Sequence, residues 1–492
     1  MRRALVLLTA TCVAACTSGP DYAGPPEVAA TAATRGTFVR ADDPSFAAGP
    51  GIARWWETLN DAALTHLVDE ALTASPSIEA AQARIREARA KLEQGRANLL
   101  PTASATGMYV HARLPGSSLG ALAGGDSSDS GEGEASSGSS SALNFYNVGA
   151  NVSWEPDLFG GKRRGVEAAR DTLDQRYADL ADAQVSLSAQ VAQSYVNLRD
   201  VEERARLNAR SSELQRRALD LSRQRLAAGT ASGLQVERLR AELASTDAQN
   251  VPLTAQITIY KDALAVLTGR APGELDAMLE ASAPVPLPPA SVPIADPATL
   301  IAHRPDVRSA ERALAASTAN IGVKKAQALP GIKFSGILGL GGTEPGDVLD
   351  PGNLAALLMP QLSWPVLDFG RSRSAVREAE AQRDGAQAQY RQSVLAALQD
   401  AEDSLARFGA TRRQLAQLTG AEQSAARAAG LNRQRFAAGT SSLIDQLDVE
   451  RQQLSAAIAV AQARAQLTID YIAVQKALGL GWSDERGQQP AR

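Results

Sequence analysis

The stretch "LSRQRLAAGTAS" (Leu221–Ser232) returns as "LNRQRFAAGTSS" (Leu431–Ser442), 210 positions later and with three of twelve residues changed. Repeat units of solenoids and propellers run to about 20–50 residues. This period is far longer and reads as a duplicated half. Each copy closes a long proline-free tract. From Gly160 to Leu226, Val166, Leu173, Tyr177, Leu180, Leu187 and Val191 recur at spacings of three, four and seven, with Gln184 as a polar interruption. That is a coiled-coil seam. From Arg371 to Phe436 the seam is Val394, Leu398, Ala401, Leu405 and Phe408, continued by Leu415 and Leu418. A straight helix of this length reaches ~100 Å at 1.5 Å per residue. Gly229 and Gly439 break the two rods. Helical patterns then run back from Leu234 to Thr268, with a kink expected at Pro252, and from Leu443 to Leu478. Each quoted copy is therefore the turn of a long helical hairpin.

The segments between the helices have a different period. In "YNVGANVSW", Tyr146, Val148, Ala150, Val152 and Trp154 are apolar, while Asn147, Gly149, Asn151 and Ser153 are polar or small. Period two is a strand with one greasy face. "IKFSGILGL" repeats this with Ile332, Phe334, Leu338 and Leu340, and "LMPQLSW" with Leu358, Leu362 and Trp364; "TASATGMYV" after Pro101 carries a weaker signal. Each run approaches the ~9–11 residues of a tilted membrane strand, and apolar-out, polar-in alternation suits a water-filled barrel. The strand ends repeat at the offset of the turns. "VSWEPDLFGGKRR" aligns with "LSWPVLDFGRSRS", matching Ser153, Trp154, Phe159, Gly160 and Arg163 to Ser363, Trp364, Phe369, Gly370 and Arg373. Upstream, "GRANLLP" (Gly95–Pro101) stands beside "KAQALP" (Lys325–Pro330). Four strands do not close a barrel, and an open edge in lipid leaves unpaired backbone groups at several kcal/mol each. Several chains must pool their strands.

Composition and charge support this class. Aromatics are 4% of 492 residues, and Ala, Gln, Arg, Glu and Leu fill the long tracts, as in extended coiled coils. The formal charge of −4 leaves no nucleic-acid footprint. Arg2 and Arg3 precede the apolar run "ALVLLTATCVAA", too short to remain as a membrane span and therefore a targeting segment. Cys12 and Cys16 are the only cysteines, and "VAAC" (Val13–Cys16) resembles a bacterial lipobox. Cleavage before Cys16 leaves 48 bases against 54 acids and no other thiol, hence no disulfide. Thr17, where enteric lipoproteins retained at the inner membrane carry Asp, favours the outer membrane. The expected organisation is a signal peptide over 1–15, a lipidated extended tether over 16–54 and a first repeat over 55–281. A Pro-rich connector over 282–297, a second repeat over 298–480 and a tail over 481–492 complete it. The Gly/Ser-rich "PGSSLGALAGGDSSDSGEGEASSGSSS" reads as a surface loop.

With these elements in order, the chain resembles the TolC family of outer-membrane efflux channels, in particular its lipoprotein branch (OprM/NodT-like), which serves resistance-nodulation-division pumps. "GPDYAGPP" (Gly19–Pro26), "WWETLND" (Trp55–Asp61), "LAVLTGRAPG" (Leu264–Gly273), "RPDVRSAE" (Arg304–Glu311), "LDFGRSR" (Leu367–Arg373) and "FAAGTSSLIDQLD" (Phe436–Asp448) carry the likeness, which covers nearly the whole mature chain. It implies an α+β, mostly α fold: a homotrimer with a twelve-stranded barrel and an α-helical periplasmic tunnel. It implies drug or toxic-compound export with a periplasmic adaptor (membrane fusion protein) and an inner-membrane pump. It implies that the turns at Gly229, Thr230, Gly439 and Thr440 dock the adaptor. Asp445 and Asp448 match acids that line the family's closed periplasmic gate, whereas Gln235 replaces Asp445 in the first repeat and Ser441 stands where a basic residue is common. No metal or cofactor is expected, only the diacylglycerol and N-acyl lipid on Cys16 and contact with outer-membrane lipids.

Other classes fit less well. His66, His111 and His303 are scattered, and no HExxH, GxSxG, P-loop or GxGxxG-to-acid arrangement is present. Glu155 and Asp157 read as a barrel–helix junction rather than as paired catalytic acids, His303 as a capping or packing residue, and "GGKRRG" (Gly160–Gly165) as a solvated helix start or a phosphate contact. A lipidated coiled-coil tether needs no alternating strands. Within the channel class, the exit of a type I secretion or metal-efflux system is the alternative, although four methionines are few for a copper or silver route.

Overall fold

The structure, a computed structural model, describes residues 17–114 and 141–482. The expectations on the signal peptide, on Cys16, on the Gly/Ser-rich loop and on the tail after Trp482 lie outside those residues. In chain order the elements are α1 (Ala30–Arg35), β1 (Phe46–Ala48), α2 (Ala62–Ala74), α3 (Pro76–Ala97), β2 (Thr102–Leu114) and β3 (Ser141–Trp154). The first long hairpin is α4 (Gly161–Ala227) and α5 (Gly233–Leu267). Then come β4 (Val292–Ile294), α6 (Pro297–His303), α7 (Pro305–Gln327), β5 (Gly331–Gly342) and β6 (Leu354–Ser363), and the second hairpin, α8 (Arg371–Ala437) and α9 (Leu443–Ala477). α4 and α8 each have 67 residues, and α5 and α9 each have 35. The duplication seen in twelve residues holds for whole helices. α5 carries Pro252 inside it without ending there.

Two compact units cut across the sequence halves. One gathers the segment up to Ala23 with residues 90–170 and 315–383, and the other gathers the remainder. The first unit holds an antiparallel sheet in the order β2-β3-β5-β6. Its register places the expected greasy residues on one face: Tyr109 opposite Tyr146, Leu340 opposite Val148, Phe334 opposite Trp154, and Leu362 opposite Ile332. A slip of one residue in any strand would turn its apolar set to the other face. β2, the weak signal, is a full 13-residue strand. Its share of this face is Ala103, Ala105, Gly107 and Tyr109, small residues that a hydropathy pattern registers poorly. Stacked rings mark both ends of the face: Tyr109–Tyr146 at 4.8 Å and Trp154–Phe334 at 6.1 Å. Eight residues separate Tyr146 from Trp154, ~27 Å along the strand before tilt. On the polar face the strands approach closely. A Cβ at Gly149 would stand 2.5 Å from the Leu338 carbonyl oxygen, whereas one at Gly107, on the apolar face, meets nothing within 4 Å. Such crowding belongs to a sheet curled toward its polar side. β2 and β6 are edges without a strand partner among the described residues.

The second unit is helical. Its core holds the WWETLND motif: Trp55 and Trp56 are buried, Trp55 packs edge-on against Tyr471 at 6.2 Å, and Tyr471 exchanges a 2.7 Å hydrogen bond with Thr58. Asp61 caps α2 by accepting the Leu64 N–H (3.0 Å), and Tyr195 of α4 donates to the same carboxylate (2.8 Å). The tether expected to be extended holds the α1 helix and, over residues 37–45, a series of turns and bends that leads into β1, and this part is docked. β1 pairs in parallel with β4, Glu402 accepts the Val39 and Arg40 amides (2.8 and 2.9 Å), and Phe46 packs on Phe408 at 5.5 Å. The seams hold with local shifts. Val394, Ala401, Leu405 and Phe408 are buried, but Leu398, Leu415 and Leu418 are only half-buried, and Ala397 takes the fully buried place beside Leu398. Leu180, Leu187 and Val191 are buried, whereas Val166, Leu173 and Tyr177 are half-buried. No described helix is long and apolar enough to cross a membrane.

Candidate functional site: two hairpin turns and two strand–helix junctions

α4 and α8 end alike. Gly229 and Gly439 adopt φ of 73° and 74°, a left-handed conformation that side chains disfavour. Gly229 N–H donates to the Leu226 carbonyl (2.9 Å) and Thr230 N–H to that of Arg225 (2.8 Å); Gly439 and Thr440 repeat this on Phe436 (3.0 Å) and Arg435 (2.9 Å). The Thr230 and Thr440 hydroxyls donate to the same Arg225 and Arg435 carbonyls, at 3.0 and 3.1 Å. The helix ends are thus satisfied internally, and the four residues sit exposed at their turns. A Cβ at either glycine meets nothing within 4 Å, so the requirement there is φ alone.

The return helices start differently. The Ser442 hydroxyl accepts the Asp445 N–H (3.1 Å) and donates to Asp445 Oδ2 (2.7 Å), which also accepts the Ser442 N–H (3.2 Å). This reciprocal capping box ties the Asp445 carboxylate to its own helix end. The Ser442 hydroxyl and backbone N–H hold its pKa below the ordinary aspartate value. In the first repeat Ser232 accepts the Gln235 N–H (3.3 Å), but no side chain returns the bond. Asp448, one turn on, accepts from Arg451 (2.6 Å) and Gln452 (3.0 Å). With Arg238, Glu242 and Arg451 it lines a groove of about 560 Å³ between the two hairpins, and Arg451 reaches Glu242 at 3.9 Å. Arg238 holds the place in the first repeat that Asp448 holds in the second, so the duplicated position carries opposite charges. The structure brings Asp448 into that groove; Asp445 is not among its lining residues.

The turn interiors also diverge. Under the first, Leu219, Val236 and Leu239 form a buried apolar cluster, with Leu243 and Leu447 against it. Under the second, Ser441 donates to Asn432 (2.9 Å), Asn432 to the buried Gln446 (3.1 Å), and Gln446 to Glu450 (2.6 Å), with Arg433 3.8 Å from Glu450. Val236 and Gln446 are equivalent positions. Sequence reading missed this relay; the Val-to-Gln change at matched positions was its signal.

At the first junction Asp157 accepts the Lys162 and Arg163 amides (3.0 and 2.8 Å), capping α4, while Glu155 lies 3.6 Å from Lys162. These acids start a helix, as expected. The second junction uses Asp368, held near pKa about 2 by the Ser372 hydroxyl and by the Ser372 and Gly370 amides. The reading of "GGKRRG" as solvated needs correction at Arg164. That residue is buried, ion-pairs with Asp21 and Glu167, and donates to the Ser18 carbonyl (3.3 Å). Burial alone lowers an arginine's pKa, but the bonds to Asp21 and Glu167 outweigh it and raise this one. Ser18 N–H in turn donates to the Phe159 carbonyl (3.0 Å), so the chain just after Cys16 is seated on the junction. Arg304 was singled out only as part of RPDV. It is a hub, donating to Asp306 (2.9 Å), to Asp400 (2.9 Å) and to the Ala397 and Ala477 carbonyls (3.2 and 2.8 Å). His303 ends α6 with Nδ1 3.0 Å from the Thr299 carbonyl oxygen, a local helix contact.

Against known proteins, the family model described as "Outer membrane efflux protein" matches residues 67–270 and 297–480. The pyoverdine export outer membrane protein OpmQ of Pseudomonas aeruginosa is 30% identical over 88% of this chain and 89% of its own. Outer membrane protein OprJ of the same organism is 28% identical over 98% of this chain and 96% of its own. The solved outer-membrane channel OprN superposes with a TM-score of 0.84 at 31% identity, covering 95% of this chain and all of that one. The family model spans most of the chain, strands, junctions and both hairpins included, and the chain belongs to the outer membrane efflux protein family.

Proposed function

We propose that this chain forms, as a trimer, the outer-membrane exit duct of a tripartite efflux pump, passing small molecules outward from the periplasm. One observation carries the reading: four strands align their apolar residues on one face while both sheet edges lack a strand partner among the described residues. A greasy face suits lipid, and open edges in lipid are too costly to persist, so copies must share one barrel. Membership of an efflux-protein family supports this transport reading. The turns at Gly229, Thr230, Gly439 and Thr440 would meet the periplasmic adaptor, which in turn reaches the inner-membrane pump. Asp445 and Asp448 would ring the closed entrance, three copies of each, and the crowded carboxylates would hold multivalent cations there. A diacylglycerol on Cys16, with an N-acyl chain, would add an anchor of ~0.8 kcal/mol per buried CH₂.

The test is planar-bilayer conductance of purified protein. We expect stepwise openings blocked by trivalent cations, with weaker block and higher conductance in an Asp445→Ala, Asp448→Ala double variant. Absence of any openings would remove the channel reading; unchanged block would move the gate elsewhere. Labelled palmitate should enter wild type and not Cys16→Ala, and labelling of both would sink the anchor.

A further inference from the structure

The duplication extends to the strand hairpins, and it does so in register. β2 pairs with β3 with Thr102 opposite Ser153, and β5 pairs with β6 with Gly331 opposite Ser363. Thr102 and Gly331 follow the matched prolines Pro101 and Pro330, and Ser153 and Ser363 precede the matched tryptophans Trp154 and Trp364. The second hairpin is therefore the first, residue for residue, in its pairing. One further pairing joins the two hairpins in this sheet: β3 with β5, where Trp154 faces Phe334 and Ser153 faces Ser335. The same operation applied to that pairing carries β3 onto β6 and β5 onto β2. Within one chain, β6 and β2 are opposite edges of the sheet, so the partner must be β2 of a second copy.

Resting on the shared-barrel reading, we infer that β6 of one copy pairs antiparallel with β2 of the next, with Ser363 opposite Thr106 and Trp364 opposite Ala105. An independent check supports this register. Leu362 and Leu358 belong to the apolar face of β6, Trp364 follows its last residue in the same alternation, and Ala105, Gly107 and Tyr109 belong to the apolar face of β2. The inferred pairing sets Trp364 against Ala105, Leu362 against Gly107 and Pro360 against Tyr109, so the greasy faces run on unbroken across the seam. Any odd slip would place them on opposite sides. The pairing also sets polar Ser363 against polar Thr106. The seam between copies is less aromatic than its counterpart within the chain. Trp154 stacks on Phe334 at 6.1 Å, whereas Trp364 would meet Ala105.

Cysteine pairs test this directly, because Cys12 and Cys16 are the only native cysteines. Directly opposite residues have Cα atoms ~4.5–5.5 Å apart, within disulfide reach, while a disulfide does not bridge Cα atoms more than ~7 Å apart. Full-length Ser363→Cys, Thr106→Cys protein is oxidised in membranes and run without reductant. Ser363→Cys, Ser104→Cys and Ser363→Cys, Met108→Cys keep the same face at registers shifted by two residues. We expect the Thr106 pair to give a covalent trimer ladder about ten-fold faster than either shifted pair. Faster cross-linking of a shifted pair overturns the register and leaves the trimer standing. No cross-link from any pair, with the mass still that of a trimer, overturns it too. No cross-link with a monomer mass removes the shared barrel itself, and this pairing with it. Gln361→Cys, Met108→Cys follows the same rule and serves if the Ser363 variants fail to assemble.

Discussion

The two hairpin turns share a backbone and differ inside it. Both spend a glycine on a left-handed φ and both pin the following threonine to the carbonyl five residues back. Yet one turn stands on Leu219, Val236 and Leu239, and the other on a relay through Asn432, Gln446 and Glu450. Turn geometry depends on a few backbone hydrogen bonds and one left-handed φ, and both copies keep them. The interior asks only that volume be filled and polar atoms be paired, and two solutions meet that demand. Opposite charges at Arg238 and Asp448 follow the same logic.

Swapping the interiors should break the comparison most sharply. Val236→Gln puts an amide without partners into an apolar cluster, at a cost of about 2–3 kcal/mol. Gln446→Val, the reverse exchange, keeps an apolar group where the packing accepts one but strands Asn432 and Glu450, at about 1–2 kcal/mol. Native-state hydrogen exchange of residues 219–243 and 429–450 reads both. Equal losses would mean that the interiors are interchangeable.

Glycine replacement should show the shared part. Gly229→Ala and Gly439→Ala each force a Cβ into the left-handed region, ~1–2 kcal/mol, with no steric addition because both sites are open. The two losses should agree, as read by proteolysis rates at the turns. A large difference would show that the backbones are not equivalent.

The smallest effect is acid sensitivity. The Asp445 pKa is held below its ordinary value by Ser442. Its stabilising contribution is therefore complete above the unfolded value of ~3.9 and is lost as pH falls through the lower folded value. Exchange protection at residues 443–446 should fall below about pH 4, while residues 233–236, capped by Ser232 with uncharged Gln235, should not respond. Parallel behaviour of both turns would sink the role given to the capping box.

Much of this was legible in sequence because periodicity and punctuation report it. The 67-residue helices followed from proline-free heptads ended by Gly229 and Gly439, and three strands from alternation. β2 was faint because alanine and glycine carry its apolar face. Arg164 was read as solvated because charge and position say nothing about Ser18 and Asp21, 143 and more residues away in sequence, closing over it. The relay under the second turn was hidden for a related reason. Asn432, Ser441 and Gln446 look like ordinary polar helix and turn residues until the fold sets them side by side. Asp445 and Asp448 were grouped by spacing, but the capping box draws one to the helix end and leaves the other in the groove.

The central claim is that four strands per chain are a third of a barrel. Light scattering of detergent-purified protein, with the detergent mass subtracted, measures it most directly when paired with circular dichroism for strand content. The account predicts a protein mass of three chains, with strand signal lost when the particle is dissociated. A stable single chain that retains its full strand signal would contradict it.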